Sequence, residues 1–338
     1  MVNSADSKSP IVYAMTEDGH RLPIIDVTRP EFALPDDPQS VAALDAAFRE
    51  AERRNALVPR FVMHLMMRSA VRRSRLLADI LDPDTPYLAG LTTYIMKLGA
   101  ENLPPPFTTD IDRRIVGAPQ VIAMRLRLQQ IAKLIAEGLQ PLLAGNPSSP
   151  LVLINIGGGP AIDSINALIL LQRSQSALLQ RPIAIQVLDI DAAGPRFGAA
   201  ALAALSAEGQ PLAGLRITFT HEFYDWNKRA LLGDLVHRAA AQGAILAASS
   251  EGALFEYGSD DAILANLVTL HHGGRGAKLV VGSVTGADPI RRQSITGTRF
   301  KLVPRGLDGF RPLAESSGFR IVRSEPTPLG DQVLLCPI

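Results

Sequence analysis

The chain has 338 residues, 47% apolar and 20% charged, with a net charge of +1, enough for about two domains of ordinary soluble composition. The near-neutral balance argues against a protein whose task is to coat nucleic acid, which needs a strong basic footprint, and no segment offers the roughly 20 uninterrupted apolar residues of a membrane span. A single cysteine, Cys336, leaves no intramolecular disulfide or cysteine-rich zinc site, and its apolar run VLLCP predicts a buried thiol.

The N-terminus, MVNSADSKSP, lacks the apolar region of a secretory signal, so a cytoplasmic protein is expected. IVYAMTEDGHRLPIID reads as a small hairpin around EDGH. From Ser40 to about Ala100 the pattern turns helical: VAALDAAFREAERR, FVMHLMMRSAVRRSRLLADIL and YLAGLTTYIMKLG, broken by turn signals such as DPDTP. The arginines Arg68, Arg72, Arg73 and Arg75 read as a solvated helix face. Met63, Met66, Met67, Tyr94 and Met96 are expected mainly to pack the core of this region and could also offer adaptable apolar surface to a small molecule. ENLPPPFTTD interrupts the helices with three prolines, which places a domain boundary near residue 110. A long helix, APQVIAMRLRLQQIAKLIAEGLQPLL, follows, with Val121, Met124, Leu128, Ile131 and Ile135 on one face.

From residue 151 the runs LVLINI, IAIQVLDI, LRITFT, AILAAS and KLVVGSV alternate with helical stretches beginning near Pro160, Gly194, Trp226 and Ser259. Near-continuous apolar runs so separated predict a parallel sheet covered on both faces. GFRIVRSEP and QVLLCPI lie too close for a crossover helix and must pair antiparallel. The six histidines are scattered, and the adjacent His271 and His272 would point in different directions, so no metal site is expected.

LVLINIGGGPAID joins a strand to a helix through three glycines, presenting backbone amides and a positive helix end above the strand's carboxyl edge. Asp189, closing the next strand, is placed to accept hydrogen bonds from ribose hydroxyls. The dinucleotide register fails, however: Gly157 and Gly159 fit GxGxxG, but the third position is Ile162, and Asp189 lies beyond the usual interval of about 20 residues.

NIGGGPA and the closing hairpin resemble the class I S-adenosylmethionine-dependent methyltransferases, nearest to the small-molecule O-methyltransferases with a helical N-terminal domain. The resemblance implies an α/β fold: a Rossmann-like, mostly parallel sheet with a terminal antiparallel hairpin in residues 111–338, which bind S-adenosylmethionine. A mainly helical substrate and dimerisation domain with a short β-hairpin precedes it in residues 1–110. It further implies cofactor contacts from Asn155, Gly157, Gly158 and Gly159 on the methionine side, from Asp189 and Ile190 at the ribose, and from Glu222 and Phe223 near the adenine. Ser249 and Ser250, closing the fourth strand, complete the implied set. Asn155 and Ala161 depart from the pattern, standing where an acidic residue and a final glycine are usual. An amide can still accept from the cofactor's ammonium, without the charge.

The resembling enzymes carry LHDW after the fourth strand, and its histidine deprotonates the acceptor; this chain has Phe255 there. Either the acceptor needs no histidine or another group serves. Glu251 and Glu256 are the nearest carboxylates, Glu251 preferred because it follows the strand directly, and Tyr257 could hydrogen-bond substrate or stack on it. A salt-bridged or capping role is the alternative for both glutamates. The expected function is methyl transfer to oxygen or carbon of a small-molecule acceptor by a homodimer. The alternatives are a catalytically silent protein of this fold or, less favoured, an NAD-dependent oxidoreductase.

Overall fold

The structure, a computed structural model, describes residues 10–58, 69–82, 87–273, 278–296 and 298–338. The N-terminal hairpin forms as the sequence suggests: β1 (Tyr13–Met15) pairs antiparallel with β2 (Arg21–Pro23). Helix α1 (Pro38–Ala56) starts where the Asp37 side chain accepts from the amides of Gln39 and Ser40. The short α2 (Arg75–Ile80) is capped by Ser74, and Arg72, Arg73 and Arg75 around its start are exposed; Arg68, Met63, Met66 and Met67 lie outside the described residues. Helix α3 (Gly90–Lys97) buries Tyr94 and Met96. Helix α4 (Asp110–Val116) opens on a capping box between Thr109 and Asp112, and α5 (Pro119–Gly145) follows at once. Val121, Leu128, Ile131 and Ile135 of α5 are buried, as their spacing requires.

Seven strands make the main sheet: β3 (Leu151–Ile156), β4 (Ile183–Asp189), β5 (Ile217–Phe223), β6 (Ile245–Ser250), β7 (Lys278–Thr285), β8 (Phe319–Thr327) and β9 (Gly330–Pro337), in the order β5-β4-β3-β6-β7-β9-β8. The first five run parallel, and β9 pairs antiparallel with both β7 and β8. This is the mostly parallel sheet with a terminal antiparallel hairpin that the sequence predicts. Every residue of β3, β6 and β7 is buried, whereas β5 at the edge alternates, which is why only the central runs read as continuously apolar.

Helices α6 (Ile162–Gln175) and α7 (Ala193–Leu205) cover one face with α5, while α8 (Ala230–Ala241) lies on the other. The very short α9 (Leu254–Tyr257) and α10 (Asp260–His272) follow β6 on that second face. Two helices that sequence reading passed over, α11 (Pro289–Thr296) and α12 (Gly306–Ser316), lie between β7 and β8; Gly306, Gly309 and Pro312 disguise the second as turns. One apolar cluster runs from Leu22 and Tyr94 through Leu128 to Leu153 and Val187, so the N-terminal elements pack directly on the sheet. Cys336 is half-buried rather than buried: it lies near the end of β9, past the last residue paired with β7, opposite Arg320 of the edge strand β8.

Candidate functional site

Strand order reverses between β3, whose crossover leads to β4, and β6 on its other side, and in open α/β sheets ligands bind in the crevice outside the carboxyl ends at such a point. A cavity of about 80 Å³ lies there, walled by the glycine turn, Asp163, Asp189 to Asp191, Trp226 and Glu251 to Ala253. Tyr87, Thr93, Tyr94 and Lys97 close it from the N-terminal side.

The turn is bare partly because the protein itself packs against it. Gly157 has φ +66°, and a Cβ there would fall 2.5 Å from Cβ of Ala253. Gly159 has φ +50°, and a Cβ would lie 3.1 Å from Cα of Gly90, at the start of α3. Ala161, where the resembling enzymes have a last glycine, nevertheless takes left-handed backbone at φ +51°, a conformation that costs a residue with a Cβ about 1–2 kcal/mol.

Asp189 braces this turn. Its Oδ2 accepts from the Gly159 amide at 2.8 Å and its Oδ1 from the Asp191 amide at 2.9 Å. Burial raises its pKa against the pull of those two donors. Each carboxylate oxygen retains a lone pair for a ligand donor. Ile190 beside it is in the wall.

Asn155 is not in the wall. It is fully buried, its Nδ2 donates to Asp163 Oδ1 at 2.7 Å and to Ser249 Oγ at 2.8 Å, and its Oδ1 accepts from Ser164 Oγ at 3.0 Å. The expectation that this amide meets the cofactor is therefore corrected, because the side chain is fully buried and its hydrogen bonds hold it inward, away from the cavity wall. A carboxylate does line the cavity close by: Asp163 in the first turn of α6, a residue that sequence reading passed over although it lies in the same glycine stretch. Asp163 Oδ2 is buried, without a hydrogen-bond partner among the described residues. Burial pushes its pKa up to about 6, opposed by the nearby Ser249 hydroxyl and assisted by the Glu251 charge.

Ser249 and Ser250 are buried behind the cavity rather than in its wall. Ser250 Oγ donates to the Ile156 carbonyl at 3.1 Å and accepts from the Leu254 amide at 2.9 Å, tying β6 to β3 and to α9. Glu222 and Phe223 end the exposed edge strand outside the wall, and Phe223 is 71% exposed. The aromatic that does reach the cavity from HEFYDW is Trp226, 3.4 Å from where a Cβ on Gly157 would lie.

The far end is built from charge. Glu251 is paired with Lys97 of α3 and with Arg127 Nε of α5 at 2.5 Å. Arg127 Nη1 in turn reaches both oxygens of Glu256, at 3.3 and 3.2 Å. Burial alone would raise the pKa of Glu251, but the two cations outweigh it and hold the carboxyl at about 2. Glu251 is thus a poor proton acceptor, which corrects its expected role as base: its environment stabilises the anion. Glu256 is buried outside the wall, held by Arg127. Tyr257 is in the wall, its hydroxyl pushed up by burial and by the Glu256 charge. Phe255, where the resembling enzymes have histidine, is core: it is 1% exposed and packs on Phe310 with ring centroids 4.8 Å apart. Lys97 and Arg127 were invisible as partners of Glu251 because only the fold brings them together. Among the described residues no cluster of His, Cys, Asp and Glu could hold a metal ion, and no helix is long and apolar enough to cross a membrane.

No protein-family model matches the chain, and no curated protein matches its sequence. Among solved structures it is similar to a possible exported protein from Bordetella parapertussis, with TM-score 0.55 at 17% identity over 91% of this chain and 99% of that one. The mitomycin 7-O-methyltransferase MmcR gives TM-score 0.41 at 17% identity, over 90% of this chain and 74% of that one. LepI in complex with S-adenosylmethionine gives 0.43 at 13% identity, over 89% and 95%. The first of these likenesses is one of fold alone; the chemistry has to be argued from the site.

Proposed function

We propose that the chain is an S-adenosylmethionine-dependent methyltransferase acting on a small-molecule acceptor. The observation that carries this reading is the charge of the cavity wall: Asp163, Asp189, Asp191 and Glu251 face a single ammonium, Lys97. Such a wall repels the pyrophosphate of a dinucleotide and suits a cofactor that carries a sulfonium and an ammonium. The residues fit that cofactor. The free Oδ2 of Asp163 would accept from the ammonium and Asp189 would take the ribose hydroxyls; with the Gly157 and Gly159 amides already donating to Leu188 and Asp189, the Gly158 amide is the one in the turn left for the carboxylate. Bound there, the cofactor supplies an already activated methyl group, so the protein's task is alignment and exclusion of water.

At about 80 Å³ the cavity is smaller than the ~300–1,000 Å³ of a typical ligand site. A ligand of that size needs a wider cavity, and α3, whose Gly90 abuts Gly159, is the element we propose moves back from the turn. With Glu251 held ionised, carboxylate assistance reduces to positioning, and the reading favours an acceptor that needs no strong base. Residues 111–338 would bind cofactor beneath the cover of residues 1–110, in a homodimer testable by light scattering.

Calorimetric titration with S-adenosylhomocysteine and with NAD tests the reading. Saturable binding of the first and none of the second is expected; NAD binding alone would overturn it. Cofactor binding without turnover of any acceptor would favour a silent relative.

A further inference from the structure

Lys97 carries more hydrogen-bonding capacity than the protein uses. Its ammonium has three N–H donors, and its side chain is only 4% exposed. Among the described residues it makes one hydrogen bond, to Glu251. Leaving buried donors unfilled beside a charge is costly, and the cavity is the space they face.

The wall's charges are also segregated. Tyr87 senses Asp189 and Asp191, which marks the acidic end. Tyr257 senses Glu256, Arg127 and Arg291, which marks an end backed by cations. Asp163 lies between them, within electrostatic reach of both Glu251 and Lys97. At the second end Glu251 is already satisfied by Arg127, and Lys97 is the cation that meets the cavity.

We propose that the acceptor is a small organic acid, bound with its anionic oxygen on the Lys97 ammonium. The proposal rests on the methyltransferase reading for its chemistry but not for its test. The acceptor has lost its proton to solvent before binding, and Lys97 holds the anion it leaves. The acceptor oxygen supplies the electron pair of the new carbon–oxygen bond, the carbon–sulfur pair stays with sulfur, and no proton has to move. Phe255 in place of a histidine is then no deficit; Glu251 aims the Lys97 ammonium and favours its charged form against burial and the Arg127 charge, which pull its pKa down, and a bound anion would add to that support.

The test uses 4-nitrophenol, whose anion and neutral forms differ in colour, at a pH just below its own ionisation. Bound to the intact protein it should absorb as the phenolate, benzoate should displace it if carboxylates share the site, and nitrobenzene should not bind. Lys97→Met should abolish the phenolate signal and weaken binding at least about tenfold (about 1.4 kcal/mol), while Lys97→Arg should keep the signal. Binding as the neutral phenol, equal binding of nitrobenzene, no binding at all, or a phenolate signal unchanged in Lys97→Met would each overturn the proposal. Should Lys97→Met not fold, the wild-type spectrum with its nitrobenzene control still decides. S-adenosylhomocysteine titrated separately keeps the readings apart: phenolate binding without it defeats the methyltransferase reading alone, and the reverse defeats the anion site alone.

Discussion

At one end of the cavity Asp163 and Asp189 are held by neutral dipoles from close by, namely the amides of Gly159, Ser164 and Asp191 and the Asn155 side chain. At the other, Lys97, Arg127, Glu251 and Glu256 hold one another across sequence separations of 124 to 154 residues. Dipoles leave a carboxylate its charge and its spare lone pairs, so the first end is equipped to take a cationic ligand. Ion pairs cancel charge in place, so the second end is chiefly structural, and only the unfilled donors of Lys97 remain for chemistry.

Removing a cation from the second end should have the largest effect. Arg127→Met strips Glu256 of its partner and leaves Glu251 with Lys97 alone, and breaking a buried pair costs about 3–5 kcal/mol. Urea unfolding should register that loss, and a loss below about 1 kcal/mol would mean that the array behaves like surface charge. At the first end the matching change acts on ligand rather than fold. Asp189→Ala should weaken S-adenosylhomocysteine about 100-fold, the equivalent of one or two charge-assisted hydrogen bonds, read by calorimetry. Undiminished affinity would remove Asp189 from the cofactor site.

Asp163 separates the two ends through pH. Its folded pKa of about 6 stands above the ordinary 3.8, so the folded state binds the proton more tightly. Stability therefore falls as pH rises from about 4 to about 6, by up to about 3 kcal/mol, and stays lower above. Glu251 runs the other way, with a folded pKa of about 2 below the ordinary 4.5: its contribution is complete above pH 4.5 and is lost as pH falls toward 2. Asp163→Asn should flatten the first slope and stabilise the protein at neutral pH while weakening the cofactor. Stability and affinity falling together would show that the carboxylate is structural.

The same contrast governs what the sequence could disclose. The strands, the glycine turn and Asp189 were legible because each is a local pattern: an apolar run, a bare turn, an acid closing the next strand. Asp163 lies within LVLINIGGGPAID but carried no distinct signal, since the resemblance pointed to Asn155 and a helix-start carboxylate has an ordinary capping explanation. Trp226 was displaced in the same way by Phe223. Lys97 and Arg127 carried no signal, because a buried ion pair between a cover helix and a strand end exists only after the chain has folded.

The smallest predicted effect tests how the cover meets the turn. A Cβ on Gly90 would lie 2.9 Å from Cα of Gly159, backbone that cannot swing aside as a flexible side chain could. Overpacking of this kind costs about 1–3 kcal/mol, while alanine in place of glycine in the first turn of α3 returns up to about 1 kcal/mol of helix propensity. Gly90→Ala should therefore lower stability by about 1 kcal/mol. If the cofactor enters only when α3 stands off the turn, weakening the closed contact favours the binding-competent state, and S-adenosylhomocysteine should bind up to about fivefold tighter. Weaker binding would mean that the Gly90–Gly159 contact persists with ligand in place, and that the cavity enlarges instead on the side of Trp226 and Ile190.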